Sequence, residues 1–584
     1  MSHSQEQPSA APEPTSGLRA WRVPALLTLI VAAAAALRFY GLGWGAPYSH
    51  FHIDEHFVFV GAYFLRRSMQ EAAESTKFFM YGPLPMHLLN GVLWLYQRVE
   101  PALDLTVFKD QVTYMVMGRA ISASMGTATV LAVFFIARRL ANATAGLVAA
   151  MLLATTVIHI SESHSFRVDL TMIFFVSLAW FYSLRIAERG AWSDYLMAGL
   201  MAGAAIASKY NAVFIVGVIG LAHLLSVRRP AAWSDRAGWL AWTVRGLSPL
   251  AVIAAVFAVA SPMAFIYRNK FWRDINEQII GPVLAGETPF FVSQFADLKH
   301  PTLYWFTTNF WWGFGPALEI WGLLGIIWFF VRPSRLTMVA ASFPLFYFLI
   351  AGGTSAPMAR YILPLSPAFA VAAGVLSASL LRQPRFRTAG IAVTAVVVAA
   401  TAFYGVAYAS IYTPPDARLA ASRYLVTNVP RGSHILVEPA HSTPPTGTYL
   451  QNPQFLGDYV LWDTQEQSDY YMLYSLDTYH FLFRTDISAD AKRAYISDRV
   501  GLADYIVMDD FYLQMYQHLP EAQHAAVKDY YRQLFDGELG FDLIQTFKHY
   551  PKLFGITIND DGAELSSRMN DHPRIYIFKR RERR

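Results

Sequence analysis

The stretch His50-Phe51-His52-Ile53-Asp54-Glu55-His56 sets two adjacent carboxylates among three histidines, directly after a strongly apolar segment. Ionisable groups beside a membrane cost free energy, so function is their default reading. A carboxylate such as Asp54 can take a proton from a hydroxyl held about 2.6–3.2 Å away. Imidazole and carboxylate also suit a divalent metal such as zinc, manganese or magnesium. His50, His52, Asp54 and His56 alternate, which in an extended segment could place several of them on one side. The plainer alternatives are that Asp54 caps the helix after it and that the histidines are only polar interfacial residues. Other ionisable groups with chemical potential are Glu162, Arg167, Asp169, Lys209 and Arg360. Each also has a structural alternative: Asp169 pairing with Arg167, and Lys209 or Arg360 snorkelling from a helix end.

The elements that must position these groups follow from composition. The chain has 584 residues, 54% hydrophobic and 15% charged, against about 25% charged in soluble globular chains. This is the composition of a polytopic membrane protein. Net charge is +5 with no basic block, which argues against a nucleic-acid partner. The absence of cysteine removes disulfides, Cys-ligated zinc and thiol chemistry. Residues 1–18 are polar and rich in Pro, Ala, Ser and Glu, and predict a disordered cytoplasmic tail. The apolar segment from Val23 follows a long polar leader without a small-residue cleavage site, which predicts a retained first span rather than a signal peptide.

A span needs about 20 apolar residues, and Lys and Arg collect on the cytoplasmic side. Eleven spans are predicted, near 23–40, 113–137, 145–160, 170–186, 195–208, 211–226, 247–266, 311–331, 336–351, 360–381 and 388–411. Basic turns such as Arg138-Arg139, Arg228-Arg229 and Arg382-Arg385-Arg387 then fall on one side. Asp54, Glu55, Glu162, Arg167, Asp169, Lys209 and Arg360 fall on the other. Acidic and basic groups gathered on one face predict a site there. The loop after span one holds two amphipathic pieces, one following Asp54 and one from Phe78 to Tyr96 interrupted by Pro83 and Pro85, which are expected to lie in the interface. A second long loop, 267–303, carries Glu287 and could close over a substrate.

From Tyr412 the spans stop. His434 to Glu438, Tyr505 to Met508 and Arg574 to Phe578 read as strands, and Asp416 to Asn428 and parts of 512–535 as helices. The expected organisation is a tail at 1–18, a membrane module at 19–411 and an extracytoplasmic α/β domain at 412–584.

Five stretches, in order, carry a family resemblance: Asp54-Glu55; Tyr81-Gly82-Pro83-Leu84-Pro85; Arg167-Val168-Asp169; Gly203 to Lys209-Tyr210; and Arg360-Tyr361-Ile362-Leu363-Pro364-Leu365-Ser366-Pro367. Together they resemble bacterial glycosyltransferases of the GT-C superfamily, of the protein O-mannosyltransferase and aminoarabinose-transferase type (family 39 and relatives). The closing Asp571-His572-Pro573 is similar to the ends of periplasmic domains appended to some such enzymes. Two departures stand out. Leu84 splits the proline pair, and Gly82 or Tyr81 stands where aminoarabinose-type enzymes carry a Lys before the prolines.

The resemblance implies a GT-C fold and a polyprenyl-phosphate sugar as donor. An acceptor hydroxyl on protein, lipid or glycan would attack its anomeric carbon with inversion, on the outer face of a bacterial inner membrane. Asp54 is the expected base, with Glu55 orienting it or binding the acceptor. Arg360, Lys209 and Arg167 would meet the donor phosphate, since a guanidinium binds phosphate bidentately. Tyr81, Asp169, Glu162, Tyr361 and Glu287 are expected to line the substrate site, and His52 and His56 are the candidate metal ligands because some relatives use a divalent ion. Membrane lipids are the remaining expected partners. The rivals are a transporter or flippase of lipid-linked or small substrates, which would favour charges at the membrane midplane in two similar halves, and a scaffold working through its C-terminal part.

Overall fold

Runs of apolar residues long enough to cross a bilayer become helices, because only a helix satisfies its own backbone groups in lipid. The computed structural model describes residues 21–46, 52–75, 78–103, 108–230, 232–277, 290–438, 472–478 and 480–582. Glu287 and His50 lie outside the described residues. In chain order the helices of the membrane part are α1 (Arg22–Phe39), α2 (Ile53–Arg67), α3 (Met69–Glu74), α4 (Leu84–Tyr96), α5 (Phe108–Leu140), α6 (Ala143–Ala154) and α7 (Val157–Ser163). They continue with α8 (Val168–Arg189), α9 (Trp192–Ser208), α10 (Phe214–Leu224), α11 (Arg236–Ala260), α12 (Pro262–Ile266) and α13 (Arg268–Ile275). The last four are α14 (Pro316–Val331), α15 (Arg335–Ala351), α16 (Ser366–Leu381) and α17 (Arg387–Ala409).

Each of the eleven predicted spans falls on helix. Among the described residues, six helices are long and apolar enough to cross a membrane, seven if a bent pair counts as one. That pair is α6 and α7, which meet at 59°. Arg38, fully buried at the end of α1, explains how the bend is tolerated. It donates to the carbonyls of Leu153 (3.1 Å) and Ala154 (2.9 Å), which the broken helix leaves open, and contacts His159 Nδ1 at 2.9 Å. The bundle is layered around α16. The window Ala359–Leu381 is 94% buried, whereas Arg236–Ala260 is 6% buried and keeps its apolar sides for lipid. The small residues of α16 allow this. A Cβ on Gly374 would sit 2.5 Å from the Ala145 carbonyl oxygen, so α6 and α16 approach backbone to backbone.

Beyond α17, α18 (Ala417–Asn428) leads into strands β1 (His434–Val437) and β2 (Met472–Ser475), then α19 (Ala489–Leu502) and β3 (Tyr505–Asp509). The chain ends with α20 (Phe511–Gln517), α21 (Glu521–Phe535), β4 (Phe541–Phe547), the hairpin β5 (Lys552–Leu553) and β6 (Ile556–Thr557), α22 (Leu565–Met569) and β7 (Ile575–Arg580). The sheet order is β2-β1-β3-β7-β4, with β1 parallel to both β2 and β3 and β7 antiparallel to β3 and β4. Period-two alternation covers both faces. Ile506 and Met508 pack under α20 and α21, while Tyr505 and Val507 pack under α18. Sequence reading missed β2, β4 and α19. The strand β4 has a bulge between Leu543 and Gln545 and an exposed Leu543, so its alternation is weak.

The α/β part is fastened to one end of the bundle by Asp571. Its carboxylate accepts from Ser161 of α7 (2.6 Å), Tyr408 of α17 (2.9 Å) and Tyr412 (2.8 Å).

Candidate functional site

Helix α2 starts at Ile53 because His52 caps it, its Nδ1 accepting from the Asp54 N–H at 3.1 Å. The cap expected of Asp54 is therefore supplied by its neighbour, and the Asp54 side chain is turned elsewhere. Asp54 and Glu55 sit in the first turn, where the positive end of the helix dipole favours carboxylates. The two then diverge. Asp54 is 15% exposed and receives the Tyr81 hydroxyl on Oδ1 at 2.9 Å. Its Oδ2 pairs with the Arg360 guanidinium, itself 23% exposed. Residues 306 positions apart thus meet at a partly open surface.

Two further ion pairs lie beside them. Arg167, in the link between α7 and α8, pairs with Glu162. Lys209, at the end of α9, donates to Asp169 of α8 at 2.7 Å. Asp169 therefore pairs with Lys209 and not with Arg167. Tyr81 joins the groups: Arg167, Asp169 and Tyr361 all act electrostatically on its hydroxyl. Burial and then the Asp169 carboxylate push that hydroxyl well above the usual phenol range, so it stays protonated and donates. Tyr361 is held through its carbonyl, which accepts from Tyr347 at 2.7 Å.

The turn that seats Tyr81 depends on Gly82. A Cβ there would lie 2.2 Å from the Ala207 carbonyl oxygen, at the end of α9 next to Lys209. Tyr210 adds a hydroxyl bond to the Tyr81 carbonyl at 3.4 Å. Gly82→Ala is expected to destabilise the fold by about 1–3 kcal/mol, as overpacking does, and to move Tyr81 off Asp54. A lower thermal midpoint in detergent together with reduced activity would show it. An unchanged midpoint would mean that α9 yields at no cost.

Glu55 occupies a different environment from the one expected of a catalytic group. It is fully buried, forms a two-pronged pair with Arg119 (2.9 Å on each oxygen) and accepts from the Phe166 N–H at 2.7 Å. Arg119 also donates to the carbonyls of Leu42 and Trp44 and lies over the Trp44 ring. With both oxygens engaged in the interior, Glu55 ties α2 to α5. Arg119 was not singled out from the sequence, although an arginine inside the apolar run 113–137 is itself a signal.

His52 and His56 both lie at the start of α2. His52 has Nδ1 committed to the helix cap. Burial pushes the half-buried His56 down to about 4, leaving it neutral. Among the described residues no group of three His, Cys, Asp or Glu side chains is placed to hold a metal ion. Residues from Ile53 onward are wound into α2, so His52, Asp54 and His56 do not alternate along an extended segment.

Residues 105–254 match the family model for dolichyl-phosphate-mannose-protein mannosyltransferase. A search of curated proteins returned no match. Among solved structures, the oligosaccharyltransferase of Archaeoglobus fulgidus, tethered with an acceptor peptide, is 12% identical at a TM-score of 0.51, covering 97% of this chain and 89% of that one. ArnT from Cupriavidus metallidurans is 14% identical at a TM-score of 0.47, over 95% of this chain and 98% of that one. The protein O-mannosyltransferase Pmt1-Pmt2 complex of S. cerevisiae is 19% identical at a TM-score of 0.33, over 43% and 34%. The matched segment runs from α5 into α11 and contains Glu162, Arg167, Asp169 and Lys209, and the archaeal enzyme shares the fold over nearly the whole chain. Over residues 105–254 the chain thus resembles the dolichyl-phosphate-mannose-protein mannosyltransferase family, and over nearly its whole length it has the fold of the archaeal oligosaccharyltransferase.

Proposed function

We propose that this glycosyltransferase moves a sugar from a polyprenyl-phosphate donor to an acceptor hydroxyl with inversion, at the outer face of a bacterial inner membrane. The observation that carries this reading is the convergence of a partly exposed carboxylate, Asp54, with Arg360, and with Lys209 and Arg167 alongside. The name of the matched family supports a lipid-phosphate sugar as donor.

The chemistry needs few groups. Asp54 takes the acceptor proton as the hydroxyl oxygen forms its bond to the anomeric carbon. The bond from that carbon to the phosphate oxygen breaks, and the phosphate leaves with one more negative charge. Arg360 neutralises it; with five N–H donors its fork can turn from Asp54 toward phosphate. That movement would free Asp54 at the moment the donor is seated. Tyr81 keeps its hydroxyl on Asp54 and orients the carboxylate. Lys209 and Arg167, held by Asp169 and Glu162, supply further positive charge. Glu55 positions α2 through Arg119.

The prenyl chain has a place to lie. An apolar groove of about 710 Å³ lies between α9, α11, α12 and α13, lined by Ile206, Ile253, Phe257, Phe265, Phe271 and Arg268. Tyr210 lines the same groove and also bonds to Tyr81, so the groove leads to the site.

The test is release of polyprenyl phosphate by purified full-length protein in detergent, offered a panel of short-chain polyprenyl-phosphate sugars with serine-, lipid- and glycan-type acceptors. One donor should turn over, and Arg360→Ala should weaken its use. If no donor is either bound or consumed, the reading is wrong.

A further inference from the structure

The role of the α/β part is not exhausted by Asp571. One segment of it reaches directly under Arg360. Glu564 is 2% exposed and precedes α22, which it caps by accepting from the Ser566 N–H at 2.8 Å. Capping five residues of helix does not require the other bonds it makes. Its Oε2 accepts from the backbone N–H of Ala359 at 2.8 Å, the residue immediately before Arg360. Its Oε1 accepts from Gln294 Nε2 at 2.8 Å, on the short helix Phe290–Phe295. Around this node Val292 and Phe295 pack on Met358, with Tyr361 against them. Met358 in turn touches Arg360 through its sulfur, 3.7 Å from Nη2.

The Ala359 N–H is the first of the short helical turn Ala359–Leu365 that carries Arg360 and Tyr361. The opening N–H groups of such a turn have no partner within it. Glu564 supplies that partner from 205 residues away. A carboxylate there also favours the turn's positive end.

The geometry points to Glu564 as a positioning residue for sugar transfer: the α/β part sets the place of the Arg360 guanidinium by holding the start of its turn. This rests on the reading of Arg360 as the donor-phosphate cation. It makes the C-terminal part a component of the donor site. Gln294 makes the short helix Phe290–Phe295 the third member of the same contact.

The experiment measures binding of a short-chain polyprenyl phosphate, without sugar, to full-length protein in detergent. The proteins are wild type, Arg360→Ala, Glu564→Ala, Glu564→Gln and the Arg360→Ala/Glu564→Ala double variant. Glu564→Ala should weaken binding about 10-fold or more, the loss expected when a charged hydrogen bond is misplaced. Glu564→Gln, which keeps one acceptor oxygen and the side-chain shape, should restore most of it. The double variant should bind no worse than Arg360→Ala alone, because the two act through one contact. Ala359→Pro gives a second approach should Glu564→Ala fold poorly. It removes the accepted N–H and sets a ring methylene against the Glu564 carboxylate in its place, and Met358 already has the φ −62°, ψ 143° that a following proline prefers. It should weaken binding as Glu564→Ala does.

If Arg360→Ala binds like wild type, the phosphate reading of Arg360 falls. If Arg360→Ala weakens binding but the folded Glu564 and Ala359 variants bind like wild type, the positioning role falls alone. The same follows if Glu564→Ala costs as much in the Arg360→Ala background as in wild type.

Discussion

Asp54→Asn is expected to lower the turnover of sugar transfer about 10²–10⁴-fold, the range that positioned proton transfer contributes, without weakening capture of polyprenyl phosphate. An amide oxygen still accepts from Tyr81, so the 2.9 Å bond and the start of α2 survive. What disappears is a group able to take the acceptor proton. The ion pair with Arg360 is also lost, but both side chains are partly exposed, at 15% and 23%. The His52 cap and the Tyr81 bond do not depend on that charge, so the variant should fold. Removing the negative charge also removes the phosphate's competitor for Arg360. Binding of polyprenyl phosphate should therefore be equal or tighter while turnover collapses. Single-turnover release of polyprenyl phosphate, alongside calorimetric binding, separates the two. A variant that turns over like wild type would reduce Asp54 to a partner of Arg360 and remove the proposed base.

The second large effect falls on stability. Glu55→Ala leaves the Arg119 guanidinium buried, 1% exposed, without its counter-charge. Removing one member of a buried pair costs about 3–5 kcal/mol, a large share of the roughly 5–15 kcal/mol that holds a typical protein folded. The carbonyls of Leu42 and Trp44 remain as acceptors but carry no charge to balance it. Most of the variant should be lost to aggregation on extraction, and its thermal midpoint should fall sharply. Replacing both residues, Glu55→Met with Arg119→Met, should recover folded protein, since apolar pairs of similar volume replace buried ion pairs well. Activity of that double variant separates the two roles of the neighbouring carboxylates. If it is stable yet devoid of transfer while Tyr81 and Asp54 keep their bond, Glu55 acts on substrate after all.

The contrast between Asp54 and Glu55 shows where sequence reading stops. Both were legible as unusual charges beside an apolar segment, and nothing in their types separates them. Adjacent positions on a helix point about 100° apart, and the packing of α5 decides which one is buried. Likewise Arg167-Val168-Asp169 invites pairing within the motif. The fold instead joins Arg167 to Glu162 and Asp169 to Lys209, because the break before α8 turns the two side chains apart. The metal reading of His52 and His56 assumed an extended backbone, whereas the amphipathic run after Ile53 is wound into α2.

By itself the sequence determined the class of the protein. Hydropathy and the placing of Lys and Arg are sums over twenty or more residues, and such sums survive local error. They located the helices and put Asp54, Lys209 and Arg360 at span ends or in the loops beside them. Only the tertiary structure decided partners. Arg360 meets Asp54 across 306 residues, Glu564 meets Ala359 across 205, and Asp571 meets Ser161 across 410. Pairing at that distance depends on how whole helices pack. A single charge leaves no periodic trace in the chain, so its counterpart cannot be read until the backbone has brought the two together.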